Sequence, residues 1–217
     1  MRRYLLLIPL FFLLYATAQA TWSYTQTFNA LTNGELHAQD SWSGGTNYTV
    51  TAAAVMEGAK YVNMTATGEE DIFRNVTASA AGSMSIMMRK GSAASLIWDV
   101  RLNNGATIGA FVRFKPDGNI YLMSSSDVLI QAYSANTNYV VEIEYDAATD
   151  QQRARIDGGT FTAWSALFSS ATVSTFDRIY MSKQDGGTSG VAFDDIKNTA
   201  AAPAAASFDD TYFEVID

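Results

Sequence analysis

Glu142-Ile143-Glu144-Tyr145-Asp146 sets a carboxylate at every second position. Residues i, i+2 and i+4 of a strand share a face, so all three would line one side of a sheet. Two such groups can hydrolyse a glycosidic bond, one as nucleophile and the other as acid and base. A retaining enzyme needs them about 5–5.5 Å apart, with one kept protonated. A plainer arrangement competes. If Ala147 to Asp150 form a four-residue loop, Glu144 falls opposite Arg153 and Glu142 opposite Arg155. Such cross-strand ion pairs would keep both groups as carboxylates, the wrong state for a general acid. No catalytic residue is therefore expected; an enzyme would have to use Glu142 and Glu144.

Other residues suit binding. Asp194 and Asp195, joined by Asp185 from Gln184-Asp185-Gly186-Gly187, are candidates for a structural Ca²⁺, which takes six to eight oxygens. The competing expectation is a solvated turn Asp beside a buried Phe193. Trp42 and Trp164 follow or precede turn-rich segments, where an exposed ring would stack on a sugar; either could equally plug the end of a sandwich. Ile97, Asp99 and Arg101 share one face of a predicted strand, Phe111, Arg113 and Lys115 that of the next, and Ile120 and Leu122 a third. Asp99, Arg101, Phe111 and Arg113 could form a ligand-binding face, or a solvated one with local ion pairs. His37 is expected to be a bystander.

Composition narrows the chemistry. The 217 residues are 48% hydrophobic, 12% aromatic and 17% charged, with 3 Pro and a formal charge of -8. That is a globular composition. With no Cys, disulfides, thiolate nucleophiles and Cys-bound zinc are excluded. One His makes a multi-His metal site impossible and a Ser-His-Asp triad improbable. Scattered Lys and Arg in so acidic a chain offer nothing to nucleic acid or an anionic membrane.

The elements that must position these residues read as strands. Helical periodicity is nearly absent, and short alternating runs recur between turn signals. They cover Trp22–Phe28, Tyr48–Val55, Lys60–Thr65, Ser83–Arg89, Ser95–Leu102, Ile108–Phe114, Ile120–Ser124, Tyr139–Tyr145, Arg153–Ile156, Arg178–Met181 and Val191–Lys197. About a dozen strands with hairpin turns predict an antiparallel sandwich or barrel. A three-residue loop at Asn103-Asn104-Gly105 would pair Leu102 with Ala106 and Val100 with Ile108. A turn at Pro116-Asp117-Gly118-Asn119 would pair Phe114 with Tyr121 and Val112 with Met123.

The N-terminus carries Arg2-Arg3, an apolar run from Tyr4 to Tyr15, then Ala18-Gln19-Ala20. This is the pattern of a secretory signal peptide. Twelve helical residues reach only about 18 Å, short of a bilayer core of about 30 Å. Residues 1–20 are expected to be removed, leaving a secreted or cell-surface protein, with the periplasm as another destination and no membrane insertion. Asn47, Asn63 and Asn75 each open an Asn-x-Thr sequon. Residues 199–207 read as an Ala/Pro linker, and 208–217 as a strand-like tail that could pair with another copy.

The order of motifs resembles a known family. Phe28-Asn29-Ala30-Leu31-Thr32-Asn33-Gly34-Glu35-Leu36, then Gln39-Asp40-Ser41-Trp42, is similar to the opening of secreted concanavalin A-like (laminin G-like) domains. Tyr139 to Asp146 with Arg155-Ile156-Asp157-Gly158 resembles their long hairpin, and Gly190 to Ile196 their closing strand. The resemblance covers residues 22–198 and implies an all-β, two-sheet antiparallel jelly roll spanning 21–198. It also implies glycan binding, adhesion or, in some branches, polysaccharide cleavage. Laminarinase-like members write their catalytic strand E-x-D-x-E, from which the Glu, Glu, Asp order here departs. The expectation is a secreted, non-catalytic module recognising a polysaccharide or glycoconjugate. A structural surface or filament protein self-associating through 208–217 comes second, and a polysaccharide hydrolase or lyase third.

Overall fold

Alternation of apolar and polar residues builds fifteen strands and, among the described residues, no helix. The computed structural model describes residues 24–64, 66–92, 96–169, 173–184 and 190–199. The expected signal peptide, most of the linker, the tail and Asp185 lie outside them.

The strands are β1 (Gly34–Glu35), β2 (Trp42–Gly44), β3 (Thr49–Ala52), β4 (Lys60–Met64), β5 (Glu70–Ser79), β6 (Ala81–Lys90), β7 (Ile97–Asn104) and β8 (Thr107–Phe114). They continue as β9 (Asn119–Leu122), β10 (Val128–Ala132), β11 (Asn138–Asp146), β12 (Gln151–Ile156), β13 (Ser165–Ala166), β14 (Phe176–Gln184) and β15 (Val191–Thr199). Two antiparallel sheets result. One has eight strands in the order β1-β3-β4-β15-β6-β11-β12-β13, the other seven in the order β10-β9-β8-β7-β14-β5-β2. This is an all-β sandwich, one of the two forms the alternation allows and the one the family resemblance implies.

Between the sheets lies one core. Met84, Ile86 and Met88 of β6 and Val141, Ile143 and Tyr145 of β11 face Val100 and Leu102 of β7, Val112 and Phe114 of β8, and Ile179 and Met181 of β14. Each such side chain contributes about 1.5–3 kcal/mol on burial. An aromatic cluster of Phe28, Trp42, Tyr48, Trp98 and Phe193 fills one region, with Phe28 and Phe193 edge to face at 5.5 Å.

Local details differ from expectation. Of the predicted first strand, Gln26 makes only an isolated bridge to Ile196. Strand β5 has no clean alternation in Glu-Asp-Ile-Phe-Arg-Asn and is not predicted; it forms because β14 and β2 pair with it on both sides. The β7–β8 turn is tighter than three residues: Asn104 pairs with Thr107 across Gly105 (φ +55°) and Ala106. A bulge between Leu102 and Asn103 then shifts the register, so Leu102 meets Ala110 and Val100 meets Val112. The core face survives because the total displacement from the expected register is even.

The β8–β9 hairpin is off by one residue. Lys115 and Asn119 close the loop with a 3.0 Å bond, and Gly118 (φ +83°) makes the reversal. Phe114 therefore pairs with Ile120 and Val112 with Leu122. Ile120 and Leu122 lie in the core, each 0% exposed, and Tyr121 takes the outer face beside Arg113. A slip of one exchanges the faces of a whole strand.

Candidate functional site

Register brings two rows of side chains together on the outer face of the seven-stranded sheet. One runs Tyr121–Arg113–Asp99–Ser182–Asp71 across β9, β8, β7, β14 and β5. The next runs Phe111–Arg101–Tyr180–Phe73. Asp99 is fully buried, with Arg101 Nη2 donating to its Oδ2 at 2.7 Å and Arg113 Nε to its Oδ1 at 2.8 Å. A carboxylate so tied to two guanidinium groups is an anchor for them.

Rings and guanidinium groups alternate along the second row. Arg178 lies 4.2 Å over the Phe73 ring, and Phe73 stacks on Tyr180 at 6.0 Å with planes 5° apart. Arg101 lies 5.5 Å from the Tyr180 ring and 5.1 Å from that of Phe111, and Arg113 is 4.8 Å from Phe111. Cation–π contact of this kind holds long side chains still. Tyr180 Oη donates to Asp71 Oδ2 at 2.7 Å, and burial pushes its phenol up to about 12. Arg101 Nε, Asn103 Oδ1 and Ser182 Oγ are buried on this face without a hydrogen-bond partner among the described residues. Their bonding capacity is unused, which is uncommon for buried polar atoms.

The expected ligand-binding residues thus separate. Asp99, Arg101, Phe111 and Arg113 do come together, but Asp99 and Phe111 (0% and 1% exposed) form an under-layer. Phe168 packs edge-on over Phe111 at 5.3 Å. Half-exposed Arg113, Tyr180, Phe73 and Arg178 are the residues a ligand would touch. The last three are missing from the sequence-based set, although Arg178, Tyr180 and Ser182 alternate with Ile179 and Met181 and could have been read as an outer face. Trp42 is 1% exposed, packed against Phe28 and Phe193 with Nε1 donating to Tyr24 Oη, so it offers no stacking surface. Trp164 is exposed in the segment just before β13, at the edge of the eight-stranded sheet, where Arg153 lies 4.6 Å from its ring.

The three-carboxylate face has the bland geometry. Arg155 Nη2 meets Glu142 Oε2 at 2.6 Å, and Arg153 Nε meets Glu144 Oε2 at 2.6 Å, in the register a four-residue loop predicts. Asp146 accepts from Ala148 N at 3.0 Å and closes the turn. No carboxylate of the trio is without a partner.

Asp194 and Asp195 sit at a bulge of β15. Both Asp194 oxygens are taken by backbone N–H groups, of Glu57 at 3.0 Å and Asp195 at 2.7 Å. Burial pushes Asp194 up to about 7. Asp195 Oδ2 accepts from Lys197, while its Oδ1 is buried without a partner among the described residues. Among the described residues no three acidic or His side chains gather as a metal shell. Asp185, the third donor expected there, lies outside the described residues. His37 is exposed.

No protein-family model matches the sequence, and no curated protein matches it. Solved structures do. A sialidase superposes with TM-score 0.61 at 14% identity, over 84% of this chain but 19% of the sialidase. A Bacillus licheniformis beta-glucanase superposes with TM-score 0.57 at 9% identity, over 83% of this chain and 99% of the glucanase. The likeness is one of fold: the two-sheet antiparallel sandwich that the resemblance to concanavalin A-like domains implies. The carbohydrate recognition domain of Emp47p also shares this jelly roll, with TM-score 0.53 at 9% identity, over 86% of this chain and 99% of that domain. At such identities the concanavalin A-like sandwich is shared and its use is not specified.

Proposed function

We propose that this protein is an exported, non-catalytic glycan-binding module whose ligand lies on the outer face of the seven-stranded sheet. The observation that carries it is the ladder of rings and guanidinium groups across β5, β14, β7 and β8. Ring faces accept the C–H faces of sugars, and guanidinium groups donate to ring oxygens and hydroxyls. The ladder is braced from below by Asp99 and Phe111, so little conformational freedom is lost on binding. Asp99 is held by two arginines, and Glu142 and Glu144 by one each, which supports binding over hydrolysis.

The test is incubation of the purified protein with a panel of insoluble polysaccharides, scoring retention and released oligosaccharide together, with and without EDTA. Retention without release is expected. Release of product would overturn the non-catalytic reading, and no retention on any polysaccharide would overturn glycan binding.

A further inference from the structure

The outer face of the eight-stranded sheet, on the far side of the sandwich, holds a cleft of about 400 Å³. Small-molecule pockets run from about 300 to 1,000 Å³. We propose that this cleft is a second binding site, for a sugar ring that carries a carboxylate: a hexuronic acid residue. The site shares no residue with the seven-stranded face and stands whether or not that face binds glycan.

Arg89 of β6 lines the cleft and is half-buried. Among the described residues it forms no ion pair, and its hydrogen bond runs from Nη2 to Asn136 Oδ1 at a long 3.4 Å. Arg153 and Arg155, on the same sheet, are each paired with a glutamate. A guanidinium carries five N–H donors in a fork that matches a carboxylate. In a chain of net charge -8, Arg89 is a cation whose partner is not supplied by the described protein.

Asn63 of β4 adds a second donor. The hydroxyls of Thr49 and Thr51 both donate to its Oδ1, at 2.7 and 3.1 Å. That fixes the amide orientation and leaves the two Nδ2 hydrogens for a ligand in the cleft. Val55 and Tyr61 add an apolar wall for the C–H face of a ring. A neutral sugar would leave Arg89 without a counter-charge, and a small inorganic anion would leave that wall uncovered.

The cleft is built in advance. Asn138 Nδ2 donates to Val55 O at 2.9 Å and fastens one wall across 83 residues of chain. Asn136 N donates to Lys90 O at 2.8 Å, which holds the loop carrying Asn136 against the end of β6. Gly91 N donates to Gly190 O at 2.8 Å, and a Cβ on Gly91 would stand 2.9 Å from that oxygen. Only glycine permits so close an approach at this end of the cleft.

The experiment is titration of the purified protein with D-glucuronate, D-glucose, acetate and sulfate, following backbone amide shifts by NMR and affinity by calorimetry. Glucuronate should shift the amides around Arg89, Asn63 and Asn136, with glucose and acetate each binding at least tenfold more weakly. Arg89→Gln should weaken glucuronate at least tenfold. Asn63→Asp keeps an acceptor for Thr49 and Thr51 but replaces the donor by a carboxylate oxygen. It should weaken glucuronate by a similar factor with the Tm held, and it decides the matter if Arg89→Gln fails to fold. Leu129→Ala, exposed on the other sheet, should change nothing here. Absence of shifts in the cleft, or wild-type affinity in Asn63→Asp, would overturn the proposal. Acetate or sulfate binding as tightly as glucuronate would also overturn it, reducing the site to a general anion site.

Discussion

Arg113 holds Asp99 in a fork, Nε to Oδ1 and Nη2 to Oδ2, each at 2.8 Å. Asp99 is fully buried and pairs with Arg101 as well, so one buried carboxylate holds two guanidinium groups in the middle of the sheet. Removing one member leaves the others unpaired, which is costly in a buried site. Asp99→Ala is expected to lower unfolding free energy by about 3–5 kcal/mol in urea titration. A loss under about 1 kcal/mol would mean that water reaches the arginines freely.

Phe73 and Tyr180 stack in parallel on the half-exposed part of the same face. Phe73→Ala should weaken polysaccharide retention about tenfold with a Tm fall of only a few degrees, since the ring is not in the core. Tyr180→Phe should keep the stack, losing only the bond to Asp71, and retain most binding. Equal retention in wild type and Phe73→Ala would move the ligand off this face.

Trp42 shows how position overrides the suggestive context of a turn-rich loop. It stands in the aromatic cluster with Phe28 and Phe193. Trp42→Ala should destabilise by about 3–5 kcal/mol, as other large-to-small core changes do. Where the protein remains folded, polysaccharide retention should be unaltered.

Asp194 couples folding to pH. Its folded pKa is raised to about 7 by burial, above the value of an unfolded Asp near 3.9. The folded chain therefore holds a proton that the unfolded chain has released, so this contribution to stability is full below about pH 4 and lost as pH rises to 7. Asp194→Asn cannot ionise, but it loses one acceptor for the N–H groups of Glu57 and Asp195. It should lie below wild type in Tm at pH 4, and the gap should narrow by a few degrees by pH 8. A gap constant across that range would show that Asp194 does not titrate there.

Strand identity and sheet class were legible in the chain because period-two patterning is a local property: Met84, Ile86, Met88 and Val141, Ile143, Tyr145 declare a core face wherever they end up. The pairing of Glu142 with Arg155 and Glu144 with Arg153 was legible too, since a short loop sets a hairpin register by itself. Only the tertiary structure decided the rest. The bulge at Leu102 and the closure at Lys115–Asn119 depend on how backbone bonds and neighbouring strands settle a register that one residue of slip would invert. The seating of Phe73 against Tyr180, and of Arg89 and Asn63 on either side of Ala192, joins strands distant in sequence, and no local pattern encodes which strands become neighbours. Composition and alternation therefore specified an antiparallel sandwich or barrel, while the choice between them and the two faces that could hold a ligand came from long-range order.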